Sequence, residues 1–182
     1  MSHVTLAPLA PLVPAEPPLP LDLLLDIAEG LAAAEDLWRP HVHHDPAQRR
    51  PVRLVAADRW EAWVIGWAPG QGVELHDHGP SAGALVVVDG VLAELTEHGG
   101  RLVRRHLESG AAVELPTGVV HDVVATGGAP TTSIHVYSPA LVEMTFYDDA
   151  GHPARTLPVT DEVPVSDLRR VARALHPSVR RG

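Results

Sequence analysis

From Pro51 onward the chain is cut into short apolar segments by turn residues, which restricts this half of the molecule to an antiparallel β architecture. The segments Val52–Ala56, Glu61–Trp67, Ala84–Val88, Val91–Thr96, Leu102–Leu107, Ala111–Leu115, His121–Ala125, Thr132–Tyr137 and Val142–Tyr147 read as strands. Turn signals separate them: Asp89-Gly90, Gly99-Gly100, Ser109-Gly110, Gly127-Gly128 and Ser138-Pro139. Links this short join antiparallel neighbours, as in a sandwich or barrel, and leave no room for the crossover helices of a parallel sheet. Asp148-Asp149-Ala150-Gly151 reads as a further hairpin turn. Trp63, Ile65 and Trp67 alternate along one segment, so they share a sheet face, where the expected role is core packing rather than ligand stacking.

The flanks are different. Residues 1–20 are rich in proline, which removes amide donors and disfavours helix, so they read as a flexible leader. Residues 21–38 carry helix formers with apolar positions at Leu24, Ile27, Leu31 and Leu37, and Gly30 as the expected break. The stretch from Arg39 to Arg50 has no period and reads as a loop, so His41, His43 and His44 are taken as loop residues rather than a metal site. Ser166 to Leu175 reads as a C-terminal helix with Ser166 as its N-cap, followed by a frayed end at Arg180. Residues 21–182 make one domain.

Composition removes several function classes. A formal charge of -9 repels phosphate backbones, and no basic stripe offsets it, so nucleic acid is not an expected partner. With no cysteine, any metal has to be held by nitrogen or oxygen ligands. No apolar stretch approaches a membrane span, and prolines interrupt the N-terminal apolar residues where a signal peptide would need a continuous run. The expected setting is a cytoplasmic monomer.

Two histidines one residue apart, His76 and His78, lie between turn glycines; on a strand both rings point to one side. Among twelve histidines one such pair is weak evidence, and His41-x-His43 is another. The surrounding spacing is what counts. Gly70 precedes His76 by five intervening residues, Gly90 closes the next hairpin, and Gly110, Pro116, Gly118 and His121 follow in a second spaced set. Both sets resemble the two signatures of the cupin family, which implies a double-stranded β-helix. Gly83 stands where that signature usually has a Glu ligand, and Ala125 where it often has Asn. The ligand set is then three neutral imidazoles, a set suited to zinc, iron, copper or nickel.

Ser133, His135 and Tyr137 recur at every second residue, so they share one face of a strand. They form either a hydrogen-bonded relay or a wetted outer face. Together with His76-Asp77-His78, the absent Glu, His121 and Ser138-Pro139, this run resembles the cysteine dioxygenase family over roughly Arg53 to Tyr147. The resemblance implies a mononuclear non-haem Fe(II) held by His76, His78 and His121, with Ser133, His135 and Tyr137 as an outer relay. It implies a small thiol, L-cysteine or a relative such as 3-mercaptopropionate, oxidised by O2 to a sulfinic acid. Arg53 resembles the family's carboxylate-binding arginine; it is either that clamp or an exposed edge-strand charge, and Arg59 is the other candidate. Some relatives cross-link a Cys at the place of Gly83 to the active-site Tyr; with no cysteine, that cross-link cannot form here. The competing reading is a non-catalytic cupin that binds a metal or small molecule.

Overall fold

The computed structural model describes residues 16–98, 101–148, 150–159 and 163–175. The chain enters through α1 (Leu21–Ala33) and α2 (Glu35–Trp38), makes a 3-10 turn at Arg39–His41, and continues as β1 (Val52–Ala56), β2 (Glu61–Trp67), β3 (Gly72–Asp77) and β4 (Ala82–Asp89). It goes on through β5 (Val91–His98), β6 (Arg101–Glu108), β7 (Ala112–Leu115), β8 (His121–Ala125), β9 (Thr131–Ser138), β10 (Glu143–Tyr147) and β11 (Pro153–Pro158) to α3 (Leu168–Leu175). The strands form two antiparallel sheets, ordered β1-β2-β9-β4-β7 and β11-β10-β3-β8-β5-β6. This is the all-β antiparallel architecture expected from the turn-punctuated segments, and the double-stranded β-helix that the cupin resemblance implied.

The five-stranded sheet is buried on both faces, and the alternation of its side chains divides them. Ala62, Val64, Ala84, Val86, Ile134 and Val136 face outward onto Leu24, Ala28 and Leu31 of α1. Each such fully buried leucine contributes roughly 1.5–3 kcal/mol by leaving water. Trp63, Trp67, Leu85, Val87 and Tyr137 face inward, toward Leu92, Val123 and Ala125 of the other sheet. In β9 this leaves all eight residues buried, polar ones included. The inner face therefore holds Ser133, His135 and Tyr137 out of water, and the wetted-face alternative is excluded.

Several local expectations change. The N-terminal helical segment breaks at Ala34, whose φ and ψ of -92° and 63° leave the helical region, rather than at Gly30. Gly30 lies inside α1, at its contact with α3, where a Cβ would stand 2.6 Å from the Leu175 side chain. The cap of α3 is Asp167, whose Oδ1 accepts from the Arg170 amide at 2.7 Å, and not Ser166. Ser166 instead donates its amide to the Leu54 carbonyl at 2.8 Å, fixing α3 against β1. The strand β11 begins and ends in proline, which hid it in the sequence. Proline is tolerated there because β11 is a sheet edge. At the chain's start, Glu16 pairs with Arg59 at 2.7 Å, and the Leu19 amide donates to Ser138 Oγ at 3.0 Å. Residues 1–15, the Gly99-Gly100 turn and the chain end at Arg180 lie outside the described residues. Among the described residues, no helix is long and apolar enough to cross a membrane.

Candidate metal centre

The strand β3 brings His76 directly opposite His121 of β8 in the antiparallel register, and His78 follows just past the end of β3. The three rings converge with centroids 4.7–5.1 Å apart. One nitrogen from each ring lies within 4.8 Å of the others, and all three residues are buried. Among the described residues no carboxylate joins this group, in keeping with Gly83 at the place of the usual Glu. The loop histidines His41, His43 and His44 do not join it either. His44 Nε2 contacts the Thr131 carbonyl at 3.1 Å and the Thr132 hydroxyl at 3.0 Å.

The rings are oriented by what their outer nitrogens touch. His76 Nδ1 lies 2.7 Å from the Glu74 carbonyl, so it carries the proton and leaves Nε2 as the ligand atom. His121 Nδ1 lies 2.8 Å from Glu94 Oε1, and its Nε2 is buried with no hydrogen-bond partner among the described residues. A buried nitrogen with an unused lone pair is costly unless a cation takes it, so the residues present fit a metal ion. Burial, joined by repulsion from the neighbouring ring of His121, lowers His76 to about 3 and takes His78 well below its ordinary range. Both rings are thus neutral at neutral pH, the form that binds metal.

Glu94 has no counterpart among the residues singled out in the sequence. It sits on β5, 1% exposed, diagonal to His121, and its second oxygen accepts from Arg105 Nε of β6 at 2.6 Å. Burial alone would raise its carboxyl, but the hydrogen bonds and charges of His121 and Arg105 outweigh that and hold it below its ordinary value. Leu92, Glu94 and Thr96 share a face, yet Ala93 and Leu95 opposite are also apolar. No alternation marked Glu94 as inward.

A second polar row runs along β9. Trp67 Nε1 donates to Ser133 Oγ at 2.9 Å, Ser133 Oγ lies 2.8 Å from His135 Nε2, and His135 Nδ1 lies 3.1 Å from Tyr137 Oη. Tyr137 Oη then stands 3.5 Å from His78 Nε2. One proton placement gives each atom of the row a partner. Ser133 donates to His135 Nε2, His135 Nδ1–H donates to Tyr137, and the phenolic proton is left to donate toward the metal side. Burial supports this. It lowers His135 to about 3 and raises Tyr137 above its ordinary range, so the imidazole is neutral and the phenol keeps its proton. Gly83 is required here: a Cβ would stand 2.8 Å from Tyr137 Cδ1 and push the ring out of line.

Next to the centre is a cavity of about 290 Å³, lined by His76, His121, His135 and Tyr137 together with Trp63, Ile65, Trp67, Met144, Phe146 and Arg49. Trp63, Ile65 and Trp67 are both core residues and cavity wall. Arg53 is not in the wall: its Nη2 pairs with the 1% exposed Glu61 carboxylate at 2.7 Å. Arg59 is exposed and held by Glu16. Among the described residues the cation in the wall is Arg49, whose guanidinium lies 4.9 Å over the Trp67 ring.

Fold and site together define a cupin with a three-histidine metal-binding centre. Solved structures agree on the fold. The TT1209 protein of Thermus thermophilus matches at 19% identity and a TM-score of 0.51, covering 56% of this chain and 93% of that one. An uncharacterized conserved protein with a double-stranded β-helix domain from Klebsiella pneumoniae matches at 17% identity and a TM-score of 0.50, covering 68% and 94%. The family model for cysteine dioxygenase type I matches residues 19–150. The chain belongs to that family.

Proposed function

We propose that the protein is a mononuclear non-haem Fe(II) thiol dioxygenase that converts a small thiol, cysteine or a relative of it, to its sulfinic acid. The observation that carries the reading is the buried His121 Nε2 without a partner, ringed by His76 and His78 and next to the donor end of the Ser133–His135–Tyr137 row. When bound, Fe(II) supplies Lewis acidity toward a thiol and the redox chemistry that lets O2 react with sulfur. The reaction balances without another reductant: the thiol sulfur is oxidised, both atoms of O2 are reduced onto it, and the thiol proton ends on the sulfinic acid.

The chain's own residues bind, orient and shield. Glu74 and Glu94 hold the His76 and His121 rings with Nε2 inward. Tyr137 offers its phenolic proton to an oxygen or sulfur atom beside His78, and His135 keeps that phenol a donor by taking up its lone pair. Since Tyr137 is held above its ordinary pKa, it acts by hydrogen bonding and not by giving up the proton. The apolar wall of Trp63, Ile65 and Phe146 excludes water from the reacting atoms. Loading the purified protein with Fe(II) and following O2 uptake with cysteine, 3-mercaptopropionate and cysteamine in parallel tests the reading. Uptake matched by sulfinate from at least one thiol is expected; no sulfinate from any would remove it.

A further inference from the structure

Two of the three histidine rings are held from outside the centre, and the third is not. The Glu74 carbonyl holds His76 Nδ1 and the Glu94 carboxylate holds His121 Nδ1. Among the described residues the only polar contact of the His78 ring is with Tyr137 Oη, 3.5 Å from its Nε2. A ligand imidazole without an outer partner has to be aimed by its backbone. For His78 that backbone lies just past the end of β3, where the strand ladder no longer fixes it, and it leads into Gly79 at a φ of +56°.

Asp77 supplies a constraint there. Its Oδ1 accepts from the Gly79 amide at 2.8 Å, which closes a turn around His78. Its Oδ2 accepts from Tyr147 Oη of β10 at 2.5 Å. Among the described residues no cation pairs with Asp77, so the phenol is what holds this carboxylate from outside. The strand β10 is itself in register with β3, with Thr145 opposite Asp77 and Phe146 opposite His76. Tyr147 is two residues beyond Thr145 and so shares its face. Phe146 packs on the His76 ring with centroids 5.9 Å apart, and Arg155 of β11 covers Phe146 at 4.4 Å while pairing with the Glu74 carboxylate. The β10–β11 hairpin thus braces β3 at Glu74, His76 and Asp77. Of these ties, the one from Tyr147 ends on the turn that carries His78.

We propose that Tyr147 is a positioning residue of the metal centre: by holding Asp77 it fixes the turn that aims His78 at the ion, the task that Glu74 and Glu94 perform directly for the other two rings. The role needs the phenolic hydroxyl and not the ring alone, and it works through Asp77. It rests on the three histidines binding a metal and is independent of which thiol is oxidised.

The test is competition for Co(II) between the full chain and a coloured chelator, together with the visible ligand-field spectrum of the bound Co(II) and circular dichroism to establish folding. Tyr147→Phe deletes the hydroxyl while keeping the ring and the charge of Asp77. It is expected to weaken Co(II) binding by about fivefold to tenfold, the lower end of what a direct outer partner gives, because the bond is half-buried and one step removed from the ligand. The ligand-field bands are expected to shift with it, since they report the ligand geometry. Asp77→Asn keeps an oxygen for the Gly79 amide and a polar group for the phenol, and is expected to stay within about threefold of the parent. Asp77→Ala is expected to weaken binding at least as much as Tyr147→Phe, and adding Tyr147→Phe to it is expected to change the affinity by less than about twofold, because the phenol then has nothing to hold. Tyr147→Phe within about twofold of the parent and with the parent spectrum overturns the proposal. So do additive losses in the double variant, which would make Tyr147 a packing residue, and a larger loss in Asp77→Asn than in Tyr147→Phe, which would make the charge alone responsible. A parent chain that takes up no Co(II) removes the metal centre itself, and the proposal with it.

Discussion

Replacing Glu94 isolates the part of the metal centre that lies outside the three histidines. In the folded protein Glu94 Oε1 holds His121 Nδ1 at 2.8 Å, and its other oxygen is held by Arg105 at 2.6 Å, so the carboxylate is fixed from both sides. Glu94→Ala removes the acceptor from a ring that is 2% exposed, freeing it to turn and leaving its Nδ1–H without a partner. A hydrogen bond to a charged group is worth about 1.5–3 kcal/mol, and each ~1.4 kcal/mol is tenfold in a binding constant. Metal affinity should therefore fall roughly tenfold to hundredfold, the range found when an outer partner of a ligating histidine is removed. Glu94→Gln keeps an acceptor but not the charge, and is expected at the lower end of that range. The assay is competition for Co(II) and Fe(II) between the apoprotein and a coloured chelator, with circular dichroism to establish folding. A folded Glu94→Ala protein that holds metal as tightly as the parent would show that this carboxylate does not orient His121.

Other perturbations have separate signatures. His121→Ala should abolish tight metal binding in the same competition assay, because two imidazoles from one strand end cannot replace a ligand from β8. Tyr137→Phe should leave metal affinity unchanged and slow O2 consumption by roughly tenfold or more, since it deletes a donor and no ligand; turnover at the parent rate would remove the relay. Arg53→Gln leaves the buried Glu61 carboxylate without its cation, and should lower stability by about 3–5 kcal/mol in denaturant unfolding. The metal-free protein should also weaken in mild acid. His76 and His135 are held at about 3 when folded, against 6.5 when unfolded, so between these values the unfolded chain binds protons that the folded chain refuses. Their stability contribution is complete above pH 6.5 and is lost as pH falls; at about pH 5 each has lost on the order of 2 kcal/mol. Urea unfolding at about pH 7.5 and pH 5 measures it, and equal midpoints would contradict the burial argument.

The fold was legible because its determinants are local: turn residues at short intervals, alternating apolar positions, and the spacing of His76, His78 and His121. The polar face of β9 was also readable, since residues two apart in a strand share a side; only its direction, inward or outward, needed the second sheet. What could not be read depends on strand register and on loop paths. Glu94 meets His121 only because β5 lies beside β8, and no spacing along the chain encodes that neighbour. The arginines show the same limit. Arg53 stands at the expected place on β1, but Glu61 on β2 takes its charge, while Arg49 reaches the cavity from a stretch with no periodicity at all. Gly83 was visible as a missing ligand, yet its closeness to the Tyr137 ring was not.

The central claim is that a metal at three neutral histidines directs both atoms of O2 to one thiol sulfur. The direct measurement is mass spectrometry of the product formed by the Fe(II)-loaded protein under ¹⁸O₂ in ordinary water, together with an oxygen electrode. The expected product is a sulfinic acid carrying both heavy oxygen atoms, formed in step with the O2 consumed, and absent with His121→Ala. Disulfide as the sole product, or sulfinate with oxygen drawn from water, would contradict the claim.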